Sequence, residues 1–300
     1  MSPNHEPDRS VTVVQYAPVN GYGIHRRIQN SEFAVDAFFS PHNSRIRVIR
    51  YKATNYTMLA QTLIMSAVRE TLGKIFVKVS PKDAERFRLV GFREEATIPG
   101  YFNGKDAKVM SYFADETRSV SSLSSSIRAE VDAAVSNVSS TAQPELPPGY
   151  SCRPAREEDA EALAALFRTN FESYPFPVFD KTFVLKTMRD NVHYQVIAHN
   201  GELVAVASGD VQPKYCCAEM TDFATLPSHR GKGFAHILLA ELEKKMARLD
   251  IRSLHTLARA CSPAINRTFA KMGYCLTGTL IRNCNISGRM EDMNCWGKVL

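Results

Sequence analysis

Between residues 228 and 239 the chain reads SHRGKGFAHILL, two glycines and two basic side chains running directly into an apolar-periodic helix. A strand entering such a turn aims unpaired backbone N–H groups and the positive end of the helix dipole at an anion, most often a phosphate. Gly231 and Gly233 permit close backbone approach, and Arg230 and Lys232 add charge. Two familiar phosphate turns fail here. A Walker loop needs G-x-x-x-x-G-K-[ST], but Lys232 is followed by Gly233 and no glycine stands five before Gly231. A dinucleotide fingerprint starting at Gly231 and Gly233 needs a glycine where the chain has His236. A glycine-rich helix start that binds nothing is the bland alternative.

The elements around the turn must hold it rigid. The following helix carries an apolar stripe, Ala235, Leu238, Leu239, Leu242, Met246 and Leu249, with Glu241 and Lys245 on the opposite side. Upstream, the pattern predicts a strand at 150–153, a helix over 157–169, an aromatic loop FESYPFPVF and a helix over 181–189. Two strands flank the hairpin dipeptide Asn200-Gly201, and a strand over 215–226 leads into the turn. A strand at 253–258, a helix at 263–271 and two terminal strands complete a mixed α/β sheet of about seven strands.

Half of this arrangement is duplicated. Ser262-Pro263, Phe269 and Gly273-Tyr274 form S-P-x5-F-x3-G-aromatic, and Ser80-Pro81, Phe87 and Gly91-Phe92 repeat it at the same spacing. Each copy follows a strand-like run, at 74–79 and 253–258, and a long helical segment, at 59–72 and 234–249. The first copy has no glycine between Gly23 and Gly73, so it lacks the turn. Between the halves, residues 119–148 are serine-dense and close on Pro144, Pro147 and Pro148, the composition of a linker with a short helix near 127–138. The expected division is a first domain over 1–118, a linker over 119–148 and a second domain over 149–300.

At 300 residues, 44% apolar and 23% charged, the chain suits a globular two-domain enzyme. The net charge of +6 favours an anionic ligand, but no basic stripe interleaved with aromatics marks a nucleic-acid face. The N-terminal MSPNHEPDRS has no apolar core, and no stretch approaches the length of a membrane span, so a soluble, cytoplasmic protein is expected. Seven cysteines with no CxxC pair read as reduced thiols, with no metal site expected.

The segment LPSHRGKGFA resembles motif A of the GNAT superfamily of acetyl-CoA-dependent N-acetyltransferases, [QR]-x-x-G-x-[GA], with Arg230, Gly233 and Ala235 at the defining positions. The resemblance implies tandem GNAT-like domains, the first degenerate. It implies that the amides of Arg230, Gly231, Lys232, Gly233, Phe234 and Ala235 cradle the pyrophosphate of acetyl-CoA. The backbone of Phe223, Ala224 and Thr225 would pair with the pantetheine arm, and Asn266 is a further candidate for that arm. The stretches TLARACSPAINRTFAKMGY and TGTLIRNCNISGRMEDMNCW, with GKIFVKV and GFREEATIPGYFNGKDAKVMSYF in the first half, resemble the β-lysine N6-acetyltransferases, which make the compatible solute Nε-acetyl-β-lysine used in osmoadaptation.

Acyl transfer from a thioester needs a neutral amine, a base, donors for the developing oxyanion and an acid for the leaving thiolate. Because a lysine-type ammonium has a pKa of about 10.4, a carboxylate at the acceptor site is the first group to seek. Glu219, eleven residues before Arg230, resembles the general base of some GNAT enzymes, with Asp222 as competitor. In a regular strand these two face opposite sides, so only one reaches the acceptor unless a bulge intervenes. The oxyanion donor would be a backbone N–H near Thr225. Where many members place a tyrosine acid this chain has Phe269, leaving Tyr274, Cys261 or solvent.

β-Lysine carries a carboxylate and two amines, so its site needs a guanidinium beside acidic or amide groups. Arg259, Asn283, Asn285, Glu291, Asp292 and Asn294 are the candidates, with Tyr174 and Phe176 in the loop that would close over the acceptor. The expected partners are this small amine and, as an option, a second copy of the chain. Polyamines or protein lysines are alternative acceptors, and a non-catalytic CoA sensor is the non-enzyme alternative.

Overall fold

A computed structural model describes residues 10–136 and 144–300. The polar N-terminal stretch 1–9, the end of the helix expected near 127–138 and part of the expected linker lie outside the described residues. The chain divides into two compact units, Met1–Glu95 with Lys108–Val120, and Ala96–Ala107 with Ser121–Leu300. Among the described residues, no helix is long and apolar enough to cross a membrane.

The first unit is built on β1 (Thr12–Val19), β2 (Gly23–Gln29), β3 (Phe33–Ser40), β4 (Arg45–Ala53), α1 (Tyr56–Arg69), β5 (Lys74–Val79), α2 (Pro81–Leu89) and the hairpin β6 (Arg93–Phe102) and β7 (Lys105–Phe113). Its helices start where local chemistry allows. The Asn55 side chain accepts from Met58 N, and Ser80 accepts from Asp83 N with Pro81 in the first turn. Leu59, Leu63, Ile75, Phe87 and Phe92 fill the core beneath α1 and α2.

The remaining elements are α3 (Ser125–Ser136), β8 (Tyr150–Pro154), α4 (Ala160–Asn170), α5 (Lys181–Asp190), β9 (Val192–His199), β10 (Glu202–Gln212), β11 (Cys217–Thr225), α6 (Phe234–Arg248), β12 (Ser253–Arg259), α7 (Pro263–Lys271), β13 (Cys275–Ile286) and β14 (Arg289–Val299). The β9–β10 turn uses Asn200 and Gly201 with φ of 50° and 85°, the left-handed pair that a two-residue hairpin requires. Leu238, Leu239, Leu242 and Met246 of α6 are buried against one face of the second sheet, and Leu163, Phe167 and Val184 of α4 and α5 against the other. Each such side chain contributes about 1.5–3 kcal/mol of transfer free energy.

The two sheets run β1-β2-β3-β4-β5-β7-β6 and β8-β9-β10-β11-β12-β14-β13, the same order in chain terms. In both, the strands joined through the long helix are parallel, β4 with β5 and β11 with β12. The sequence repeat is therefore a repeat of fold. The first unit has no counterpart of α4 and α5, because β1 passes to β2 through a short turn.

The division between units is not a single cut. The tip of the β6–β7 hairpin, Ala96–Ala107, belongs to the second unit. There Ser253 Oγ donates to Pro99 O at 2.6 Å, and Asn103 donates from N to Tyr215 O and from Nδ2 to Lys214 O, both at 3.1 Å. Gly297 lies under Pro99, and a Cβ on it would stand 2.8 Å from Pro99 Cγ. The serine-rich segment is likewise packed where it is described: α3 lies against α7, and Val135 and Leu146 join the second core.

Candidate active site

β11 and β12 form a parallel ladder only at Cys217 with Ser253, Ala218 with Leu254 and Glu219 with His255. β11 continues to Thr225 and β12 to Arg259. Beyond Glu219 the β12-facing edge of β11, including Phe223, Ala224 and Thr225, is outside that ladder, while Ala224 and Thr225 still pair with β10 on the other side. Two strands that part in this way leave backbone donors and acceptors available to an extended guest.

The glycine turn closes the open end of this split. Gly231 and Gly233 have φ of 81° and 76°, and Gly233 caps α6 with no side-chain bond. The first backbone donors into α6 are His236 and Ile237, both to Gly233 O, so the preceding amides of Phe234 and Ala235 point out of the helix end. A Cβ at Gly231 would meet nothing within 4 Å, whereas one at Gly233 would stand 2.9 Å from Pro144 Cγ. The Arg230 guanidinium is engaged by the fold, with Nε on Thr225 O at 3.1 Å and a terminal nitrogen on Asn170 Oδ1 at 3.0 Å. Lys232 is exposed. The turn thus offers an anion its backbone and one exposed ammonium, a fit for a diphosphate.

At the closed end of the split the carboxylates gather. β11 bulges where Val206 faces Ala224 but Ser208 faces Thr221, and Asp222 takes φ of 55°. The bulge overrides the strand alternation expected at 219 and 222. Asp222 is buried, accepts from Tyr174 Oη at 2.9 Å and Ser208 Oγ at 2.7 Å, and feels the Glu219 charge. Burial pushes its carboxyl above the usual range, opposed by the two hydroxyls. Glu219 is about a quarter exposed and faces Asp210 across the β10–β11 ladder. Its other neighbour is His255, with Nε2 3.8 Å from Glu219 Oε2. Asp210 and His255 were not singled out by the sequence, since only the strand register brings them to Glu219.

Farther along the same face of β12, Arg259 donates to Glu291 Oε1 at 2.8 Å, Cys261 donates its thiol to Glu291 Oε2 at 3.2 Å, and Arg289 lies 3.6 Å from Glu291. Burial, then the bond to Glu291, holds the Cys261 thiol above its ordinary pKa. The loop carrying Tyr174 is tied to the β13–β14 hairpin through Ser173, which donates to Asn285 Oδ1 at 2.9 Å and accepts from Gly288 N at 2.8 Å. Phe176 packs edge-on to Tyr174 and joins the core beneath α4 and α5.

Other candidates are used by the framework. Asp292 accepts from Arg282 N at 2.7 Å and from Ser121 Oγ, fixing a bulge in β13 that contains the buried Asn283. Asn266 is wholly buried. Its Nδ2 donates to Arg259 O and Ser262 O, and its Oδ1 accepts from Asn294 Nδ2 and Trp296 Nε1, each at 2.8–2.9 Å. Because an indole N–H only donates, Trp296 fixes the amide orientation, and no capacity remains on Asn266 for a ligand. Asn294 is also bonded to Thr279 Oγ1. Phe269 is buried edge-on to Phe223 and Tyr274. Tyr274 lies in the core, where burial and then Glu243 raise its hydroxyl pKa well above 10.

Residues 160–274 match the Acetyltransferase (GNAT) family. The chain is 33% identical to a β-lysine N(6)-acetyltransferase of Methanosarcina mazei over 81% of its length and 97% of that protein. It is 38% identical to one of Methanococcus maripaludis over 76% of its length and 83% of that protein. It is 33% identical to the N-acetyltransferase YodP of Bacillus subtilis over 86% of its length and 93% of that protein. These matches span most of the chain and of each relative, so the chain belongs to the GNAT family and is an acetyl-CoA-dependent N-acetyltransferase.

Proposed function

We propose that this enzyme transfers the acetyl group of acetyl-CoA to the N6 amine of β-lysine, giving Nε-acetyl-β-lysine, with the chemistry in residues 149–300. The observation that carries the reading is the spacing of two charged sites on one face of β12. His255, which adjoins Glu219, and Arg259, which pairs with Glu291, share that face because side chains alternate along a strand. Their Cα atoms are about 13 Å apart at the usual strand rise. A six-carbon diamino acid suits a span of this order once the Glu219 and Arg259 side chains take up part of it.

Asp210, Glu219 and Asp222 favour a cationic amine at the closed end of the split. Glu219 takes one proton from the ammonium, the neutral nitrogen attacks the thioester carbonyl to form the C–N bond, and as the C–S bond breaks the nitrogen loses its second proton to solvent. The leaving thiolate takes its proton from solvent, because Phe269 cannot donate one and Tyr274 and Cys261 hold theirs tightly. Arg259 and Arg289 receive the carboxylate of the acceptor and Glu291 its second amine. The amides of the glycine turn hold the pyrophosphate of acetyl-CoA, and the freed edge of β11 holds its pantetheine arm.

Thiol release from acetyl-CoA, followed with β-lysine, spermidine and a lysine peptide in parallel, tests the reading. Fastest turnover with β-lysine is expected, and a preference for spermidine or the peptide would replace it.

A further inference from the structure

Asp210, Glu219, His255 and Gly297 occupy one row across β10, β11, β12 and β14. Gly297 is the glycine of this row, and the tip of the β6–β7 hairpin lies on it, with Pro99 against the Gly297 Cα. Two residues on, the Tyr101 ring meets the His255 imidazole at a centroid distance of 5.5 Å and a 72° angle, an edge-on contact. Tyr101 is itself held by Tyr215, at 5.5 Å, and by Phe102, at 4.9 Å. His255 is fully buried, and its Nε2 is the imidazole atom turned toward Glu219. The imidazole is therefore walled on the hairpin side by an aromatic ring and on the β11 side by the Glu219 carboxylate. Phe102 and Asn103 close the same tip onto Tyr215 and the Lys214 carbonyl.

From this packing we infer that His255 is a positioning residue for the Glu219 carboxylate, and that Tyr101, delivered by the hairpin from the first half of the chain, sets the His255 ring. The inference rests on Glu219 being the base in the reading above. It assigns a positioning task to a segment of the half that lacks the cofactor turn. A buried ring fixed on one side by Tyr101 restricts the rotamers that Glu219 can adopt, and a carboxylate that wanders loses geometry before it loses the cofactor. The contacts of the hairpin tip run to Ser253, His255, Gly297, Lys214 and Tyr215, so changes at the tip are expected to leave acetyl-CoA binding intact.

Four variants test the inference: Glu219→Gln, His255→Leu, His255→Gln and Tyr101→Ala, with Glu219→Gln/His255→Leu completing a double-mutant cycle. His255→Leu is expected to lower kcat, expressed per folded enzyme by normalising to the CoA-binding stoichiometry, about tenfold or more while the KM for acetyl-CoA stays within about twofold; the normalisation removes the fall in apparent kcat that a smaller folded fraction alone would cause. His255→Gln, which keeps a polar nitrogen near the Nε2 position, is expected to recover most of that loss, and Tyr101→Ala to lower kcat in the same direction. In the Glu219→Gln background, His255→Leu should cost little more, because a positioning residue has nothing left to position. The same relative loss in both backgrounds, or a wild-type kcat in His255→Leu, would overturn the inference. A wild-type kcat in Glu219→Gln would instead overturn the base assignment. If His255→Leu fails to fold, the comparison of His255→Gln with Tyr101→Ala decides, since equal wild-type kcat in both removes the role.

Discussion

The Tyr174 hydroxyl donates to Asp222 across 2.9 Å, tying the loop between α4 and α5 to the bulge of β11. Burial raises the Asp222 carboxyl pKa, so the folded chain holds that proton more tightly than the unfolded chain. This group therefore makes stability fall as pH climbs from the ordinary carboxylate range through the raised value, and its charge opposes folding at neutral pH. Asp222→Asn removes the charge, and asparagine tolerates the φ of 55°. Melting curves should put Asp222→Asn level with or a few degrees above the parent at pH 7, with the parent gaining on it toward pH 4. A variant that loses most stability at pH 7 and recovers it in acid would contradict the assignment.

Glu219→Gln removes the base while preserving shape. Loss of a positioned base costs on the order of 100-fold or more in turnover. Steady-state kinetics should show that fall in kcat with the KM for acetyl-CoA within about twofold. Asp222, already bonded to two hydroxyls, should matter less to kcat.

Gly233→Val places a branched side chain at φ of 76°, with its Cβ 2.9 Å from Pro144 Cγ, in the turn proposed to hold the pyrophosphate. The KM for acetyl-CoA should rise by about tenfold or more, since each 1.4 kcal/mol of lost binding is tenfold. Gly231→Ala, whose Cβ meets nothing within 4 Å, should raise it less. Equal effects would show that backbone strain alone, and not close approach of a ligand, governs the turn.

Asn266→Ala leaves the Asn294 side-chain amide and the Trp296 indole without the oxygen they donate to in the core, while the carbonyls of Arg259 and Ser262 each keep a backbone N–H. At about 1–3 kcal/mol for each of the two buried orphans, the loss should be about 2 kcal/mol or more. Denaturant unfolding should record that drop, with the KM for acetyl-CoA nearly unchanged in the remaining folded enzyme. A raised KM at unchanged stability would return Asn266 to the cofactor arm.

Much of this organisation was legible in local pattern. The helix stripe from Ala235 to Met246, the Asn200-Gly201 turn and the Ser-Pro starts of α2 and α7 each carry their instruction within a few residues. The duplication was visible because both copies retain the same helix punctuation. What stayed hidden depends on pairing between distant segments. Asp210 and His255 join Glu219 only through the registers of three strands, and the bulge at Asp222 has no residue signature such as glycine. The Pro99–Tyr101 tip reads as an ordinary hairpin until Gly297 and Ser253 are seen beneath it. Asn266, a candidate because its helix resembles the one that follows motif A in the GNAT family, is an internal clamp because Trp296, thirty residues on, turns its oxygen inward.

The central claim is the acceptor, and the most direct measurement compares kcat/KM for β-lysine with that for the same diamine lacking the carboxylate, with the acetylated nitrogen located by NMR. If Arg259 and Glu219 hold opposite ends of one diamino acid, β-lysine should be preferred by about tenfold or more, as charge-assisted hydrogen bonds of about 1.5–3 kcal/mol require, and only N6 should be acetylated. Equal kcat/KM for the two amines, or acetylation at the amine nearer the carboxylate, would contradict it.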